Sequence, residues 1–131
     1  MSKFVLIDGH SILNRAFYGV PIFTNSEGLH TNAVFGFLNI MFKIIDSKQP
    51  DYMAVAFDVH QPTFRHEMFK DYKGTRKPMM EELREQVPVI KELLQKMNIT
   101  TVELPGYEAD DVIGTLSKKG EKAGMEVDVI S

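Results

Sequence analysis

The apolar positions of this chain fall into two alternating kinds of run. "KFVLID" (3–8) and "YMAVAFD" (52–58) are short, nearly unbroken apolar stretches bounded by turn residues. Such runs mark strands covered on both faces. "ITTVEL" (99–104) and "EVDVIS" (126–131) predict two more strands. Between them the apolar residues recur at helical spacing. A short helix is predicted over 10–18 and a strongly apolar one over 33–47, with Phe37, Ile40, Met41, Ile44 and Ile45 in phase. A third covers 81–97 through Leu83, Val87, Ile90, Leu94 and Met97, and a fourth covers 108–123. Pro88 lies inside the third, where it removes a backbone hydrogen bond and predicts a kink. "VPIFTNSEGLHTN" reads as a loop, and "FRHEMFKDYKGTRKPM" (64–79) has no clean period.

Strands alternating with helices imply an α/β fold, a Rossmann-like and mostly parallel sheet with helices on both faces. A length of 131 residues supports one modest domain with a single core. In such sheets ligands bind just beyond the carboxyl ends of the strands. Asp8 ends the first predicted strand and Asp58 the second. The third leads through "PGY" into Glu108, Asp110 and Asp111. All five acids are therefore expected at one edge.

Each acid has an ordinary explanation alone. Acids in a first helical turn gain up to about 1 kcal/mol from the macrodipole. A strand-terminal Asp is a common turn residue. On helical phase, Ala109, Val112, Ile113, Leu116 and Gly120 should face the core, with the three acids exposed on the other side. Their joint placement with Asp8 and Asp58 is harder to explain, because crowded carboxylates repel and raise one another's pKa. Cations would relieve this. The chain has no cysteine, so any metal is held by oxygen or histidine, which favours hard ions such as Mg²⁺ or Mn²⁺. Two such ions roughly 4 Å apart suit in-line phosphodiester hydrolysis. His10 and Ser11, adjacent in sequence, would not face each other as a nucleophilic pair; His10 reads as a residue at a helix start.

Charge alone does not choose the partner. The net charge is −3, but with five of the eighteen acids on metal, fifteen bases would face thirteen acids. Arg65, Lys70, Lys73, Arg76 and Lys77 interleave with Phe64, Phe69 and Tyr72, a pattern suited to phosphates and unpaired bases. Lys73 and Arg76 are three apart and would share a helical face toward a scissile phosphate. The amino-terminal apolar run is too short for a signal peptide. The stretch from Ala33 to Ile45 is broken by Asn39 and Lys43, so no membrane partner and a cytoplasmic location are expected.

"LIDGHSILNRAFY", "AVFGF", "VAFD", "FRHEMFKDYKGTR" and "PGYEADDVIGTL" occur in that order along the chain. Together they resemble the 5′ nuclease domain at the amino terminus of bacterial DNA polymerase I, in the flap-endonuclease group with its PIN-like α/β fold. The resemblance implies a two-metal, Mg²⁺- or Mn²⁺-dependent 5′-3′ exonuclease and flap endonuclease, serving DNA repair and primer removal. Its implied partner is DNA with a 5′ flap, nick or RNA-primer end. Position by position, it makes Asp8, Asp58, Glu108, Asp110 and Asp111 the metal ligands, and Lys73 and Arg76 the contacts to the reacting phosphate. Tyr72 would lie near the terminal bases and Arg15 would touch substrate, while Arg65 and Lys77 complete the basic set. The segment 64–79 would begin the arch that gates the 5′ end.

In that family the fourth strand leads into an Asp-x-Asp turn, and later segments add further acids and a helical hairpin for duplex DNA. The chain is thus expected to be the first half of such a domain, truncated before the duplex-binding motif. Its partners would be the rest of the nuclease domain and the polymerase region, and alone it should bind metal weakly and cut poorly. Three rivals remain at this point: a non-catalytic nucleic-acid-binding module of the same fold, a PIN-type ribonuclease, and a flavodoxin-like phosphotransfer domain with Asp58 as acceptor.

Overall fold

The computed structural model describes residues 1–58 and 81–131. Along them run β1 (Lys3–Asp8), α1 (Gly9–Gly19), α2 (Asn32–Lys48), β2 (Tyr52–Ala56), α3 (Glu81–Arg84), α4 (Val87–Lys96), β3 (Thr100–Val102), α5 (Ala109–Lys122) and β4 (Glu126–Ile130). The basic segment with Arg65, Tyr72, Lys73, Arg76 and Lys77 lies outside the described residues. No described helix is long and apolar enough to cross a membrane.

The four strands form one parallel sheet in the order β3-β2-β1-β4. Alternate strand residues serve opposite faces. Val5, Ile7, Val55 and Phe57 pack with Phe17 of α1, Phe37 and Met41 of α2, and Ile90 and Leu94 of α4. Leu6, Ala54 and Ala56 turn to the other face and meet Ala109 and Ile113 of α5. Coverage on both faces is what makes the strand sequences nearly continuous in apolar residues. The order matches Rossmann-type sheets and differs from the 2-1-3 order of flavodoxin-like ones, which removes the phosphotransfer reading. All carboxyl ends share one edge, and the order reverses between β1 and β4, where such sheets bind ligands.

The predicted helix over 81–97 is in fact two helices, α3 and α4, separated at Glu85 and Gln86. Pro88 falls in the first turn of α4 and interrupts no ladder, so it starts a helix instead of kinking one. The cause of the break is Gln86, fully buried. Its Oε1 accepts from Ala33 N at 2.8 Å and Val34 N at 3.1 Å. Its Nε2 donates to Asn32 Oδ1 at 2.9 Å and to Glu82 O at 2.8 Å. Asn32 in turn donates from Nδ2 to Phe17 O at 2.9 Å and Val20 O at 3.1 Å. Gln86 thereby caps α2, for which Thr31 supplies no side-chain cap, and Asn32 closes the end of α1. His30 joins the same region through an Nδ1 contact to Glu85.

Candidate metal centre

Asp8 is both the last residue of β1 and the N-cap of α1. Its Oδ1 accepts from Ser11 N at 3.3 Å and its Oδ2 from Ser11 Oγ at 3.0 Å. Ser11 thus orients this carboxylate, a role its sequence position does signal: "DGHS" places Ser three residues after an Asp at a helix start. Asp58 lies two residues beyond β2, where its Oδ1 accepts from Ala109 N at 2.5 Å. That bond ties the end of β2 to the first turn of α5.

Glu108 is buried and is the N-cap of α5, not an exposed helical residue. It forms a capping box with Asp111, whose Oδ2 accepts from Glu108 N at 3.0 Å. Asp110 sits between these groups. Its carboxyl is held above the usual carboxylate range, first by lost hydration and then by the negative charges of Asp8 and Asp58. A hydrogen bond with the Asp8 carboxyl and the charge of Glu108 push the same way. The structure therefore brings Asp110 within electrostatic reach of Asp8, Asp58 and Glu108, with Asp111 beside Glu108.

The donor chemistry fits a hard divalent cation, since every group is a carboxylate and the repulsion raising Asp110 would be reversed by positive charge. As they stand, no three acidic or histidine side chains among the described residues are spaced to enclose one ion. Asp8, Asp58 and Asp111 each commit an oxygen to a main-chain N–H at a helix start.

The flanks of the site carry further residues. His10 is in the first turn of α1, its Nε2 3.5 Å from Asp58 O and its ring edge-to-face with Phe57 at 5.6 Å. Arg15 is exposed on α1 and donates to the main-chain oxygen of Ser131, just past β4 on the acidic edge. Gly9 and Phe57 escaped the sequence reading, because an isolated glycine and an apolar strand residue carry no chemical signal.

The family model for the 5′-3′ exonuclease, N-terminal resolvase-like domain, matches residues 3–131. The chain belongs to that family. Among members of known sequence, DNA polymerase I of Bacillus subtilis (strain 168) is 51% identical over 129 residues, covering 98% of this chain and 15% of that protein. DNA polymerase I of Geobacillus stearothermophilus is 49% identical over 130 residues, again 15% of its length. This exonuclease-family chain spans about 15% of the length of the curated relatives it matches. Among solved structures, the bacteriophage T5 5′-exonuclease with bound divalent zinc aligns with a TM-score of 0.71 at 24% identity, over 98% of this chain and 48% of that one. A T5 flap endonuclease complex with DNA and metal ions aligns with a TM-score of 0.68, also at 24% identity. These likenesses establish the PIN-like α/β fold of this family member.

Proposed function

We propose that this chain is part of a Mg²⁺- or Mn²⁺-dependent 5′ nuclease of the DNA polymerase I type, hydrolysing phosphodiester bonds at 5′ flaps, nicks and RNA-primer ends. The observation that carries the reading is the convergence of Asp110 with Asp8, Asp58 and Glu108 at the carboxyl edge of a parallel sheet. Asp8, Asp58, Glu108, Asp110 and Asp111 are the residues that would hold two ions. When bound, the ions would activate the attacking water and steady the leaving oxygen.

The chain's own groups do the rest. Ser11 fixes the Asp8 carboxylate, and the Asp58–Ala109 bond keeps β2 and α5 in register with each other. The buried capping box holds Glu108 against the edge. Lys73 and Arg76 would contact the reacting phosphate, with Tyr72, Arg65 and Lys77 along the strand that ends there. Arg15 would receive the substrate at the β4 flank. A nuclease of this kind serves repair and primer removal in the cytoplasm, alongside the remainder of the nuclease domain and the polymerase region.

The test is cleavage of a labelled 5′-flap substrate with Mg²⁺ by the chain extended through the rest of its domain, compared with Asp110→Asn. Loss of cutting in the variant is expected, with DNA binding retained. Equal cutting by both would overturn the reading, and a preference for single-stranded RNA over the flap would favour a PIN-type ribonuclease.

A further inference from the structure

Asp8 is followed directly by Gly9, and Asp58 is preceded directly by Phe57. These two neighbours are pressed together. A Cβ on Gly9 would lie 2.5 Å from Phe57 Cε1, 2.7 Å from Cδ1 and 2.9 Å from Ala56 O. The φ of Gly9 is not one that excludes side chains, so the glycine answers to space and not to backbone conformation. What occupies that space is the edge of one aromatic ring.

The ring itself is fixed from several sides. Phe57 is 1% exposed. Its N–H donates to Val102 O at 2.9 Å, tying it to β3. Lys91 Nζ stands 5.2 Å from the ring centroid and is held there by Glu103 Oε2 at 2.9 Å. His10 meets the ring edge-to-face from α1. A held ring thus lies against the backbone at Gly9, the residue after Asp8, and is itself the residue before Asp58.

We propose that the Gly9–Phe57 contact is a spacer that sets the approach of the Asp8 and Asp58 carboxylates, and so the affinity of the edge for a divalent cation. The proposal rests on the metal-dependent nuclease reading above and adds two positioning residues to it. Interiors are close-packed, so a change in side-chain size at Phe57 must be taken up by the Gly9 and Phe57 segments that meet there. Outer partners of metal ligands typically change affinity by about 10- to 100-fold when altered.

Mn²⁺ binding to the chain extended through the rest of its domain, followed by water-proton relaxation, tests this alongside the thermal midpoint. Phe57→Leu and the gentler Phe57→Met are compared with Phe37→Leu, a fully buried phenylalanine of the same core on α2. The expected result is a Kd for Mn²⁺ raised about 10-fold in both Phe57 variants. In Phe37→Leu it should stay within about 2-fold of wild type, at a similar loss of thermal midpoint. Equal shifts at Phe57 and Phe37, or none at either, would overturn the spacer while leaving the nuclease reading intact. An extended wild-type chain that bound no Mn²⁺ would overturn both.

Discussion

Replacing Gln86 by Leu keeps the volume of a fully buried side chain but removes all of its polar atoms. The amides of Ala33 and Val34, the side-chain oxygen of Asn32 and the carbonyl of Glu82 each lose a partner. Ala33 and Asn32 are wholly enclosed, so water has little access. A buried polar group left unmade costs about 1–3 kcal/mol. The two amides and the Asn32 oxygen together imply a loss of about 3–5 kcal/mol, a large part of the roughly 5–15 kcal/mol that holds a domain folded. Urea unfolding followed by far-ultraviolet circular dichroism measures it. The midpoint should fall by about 2 M with an unchanged slope, given a slope of roughly 2 kcal/mol per molar. A loss under about 1 kcal/mol at constant slope would refute the reasoning, showing that the start of α2 does not depend on a side chain from the α3–α4 junction.

Asp110 gives a prediction in pH. Its folded-state pKa is raised, so its penalty is absent below the ordinary aspartate value and appears as pH rises through the folded one. In chelator-treated buffer Asp110→Asn should therefore be more stable than wild type at pH 7, by about 0.5–1 kcal/mol given the exposure of the site, with the gap closing toward pH 4. Mg²⁺ should raise the thermal midpoint of wild type and not of the variant; a variant less stable at pH 7 would contradict the charge crowding. Two helical glycines make a matched pair. A Cβ on Gly36 would lie 2.7 Å from Ala16 Cβ, so Gly36→Ala should cost about 1–2 kcal/mol by forcing α1 and α2 apart. At Gly114 nothing lies within 4 Å, and Gly114→Ala should gain up to about 1 kcal/mol from helix propensity. Thermal melts read both signs.

The acidic edge was legible because it follows from two local features, strand-ending aspartates and a helix-starting acid cluster, combined by one topological rule. Outside 81–97, period and turn chemistry also placed the described strands and helices to within a few residues. The single α-helix drawn across 81–97 failed for a non-local reason. Gln86 bonds to residues more than fifty positions away, and no helical period records that. Glu108 was taken as exposed on helical phase alone. As an N-cap it stands outside the helix, and the capping box turns it inward. The Gly9–Phe57 contact is equally silent in sequence, since its meaning lies in a distance between two chain segments.

One of the two inner strands of the sheet, β1, is also the first to be made among those described. β1 pairs with β2 about fifty residues later, but Lys3 faces Glu126 and Ser2 O accepts from Glu126 N at 2.8 Å. At synthesis rates of roughly 5–20 residues per second, one side of β1 waits about 6–25 s for its neighbour. During that interval α5 has yet to dock, so Asp58 is the only other acid of the edge beside Asp8. Over the same interval the nascent chain carries a strand with one edge open, the kind of edge that invites aggregation. The acidic edge is assembled only when α5 docks on the sheet and brings Glu108, Asp110 and Asp111 to it.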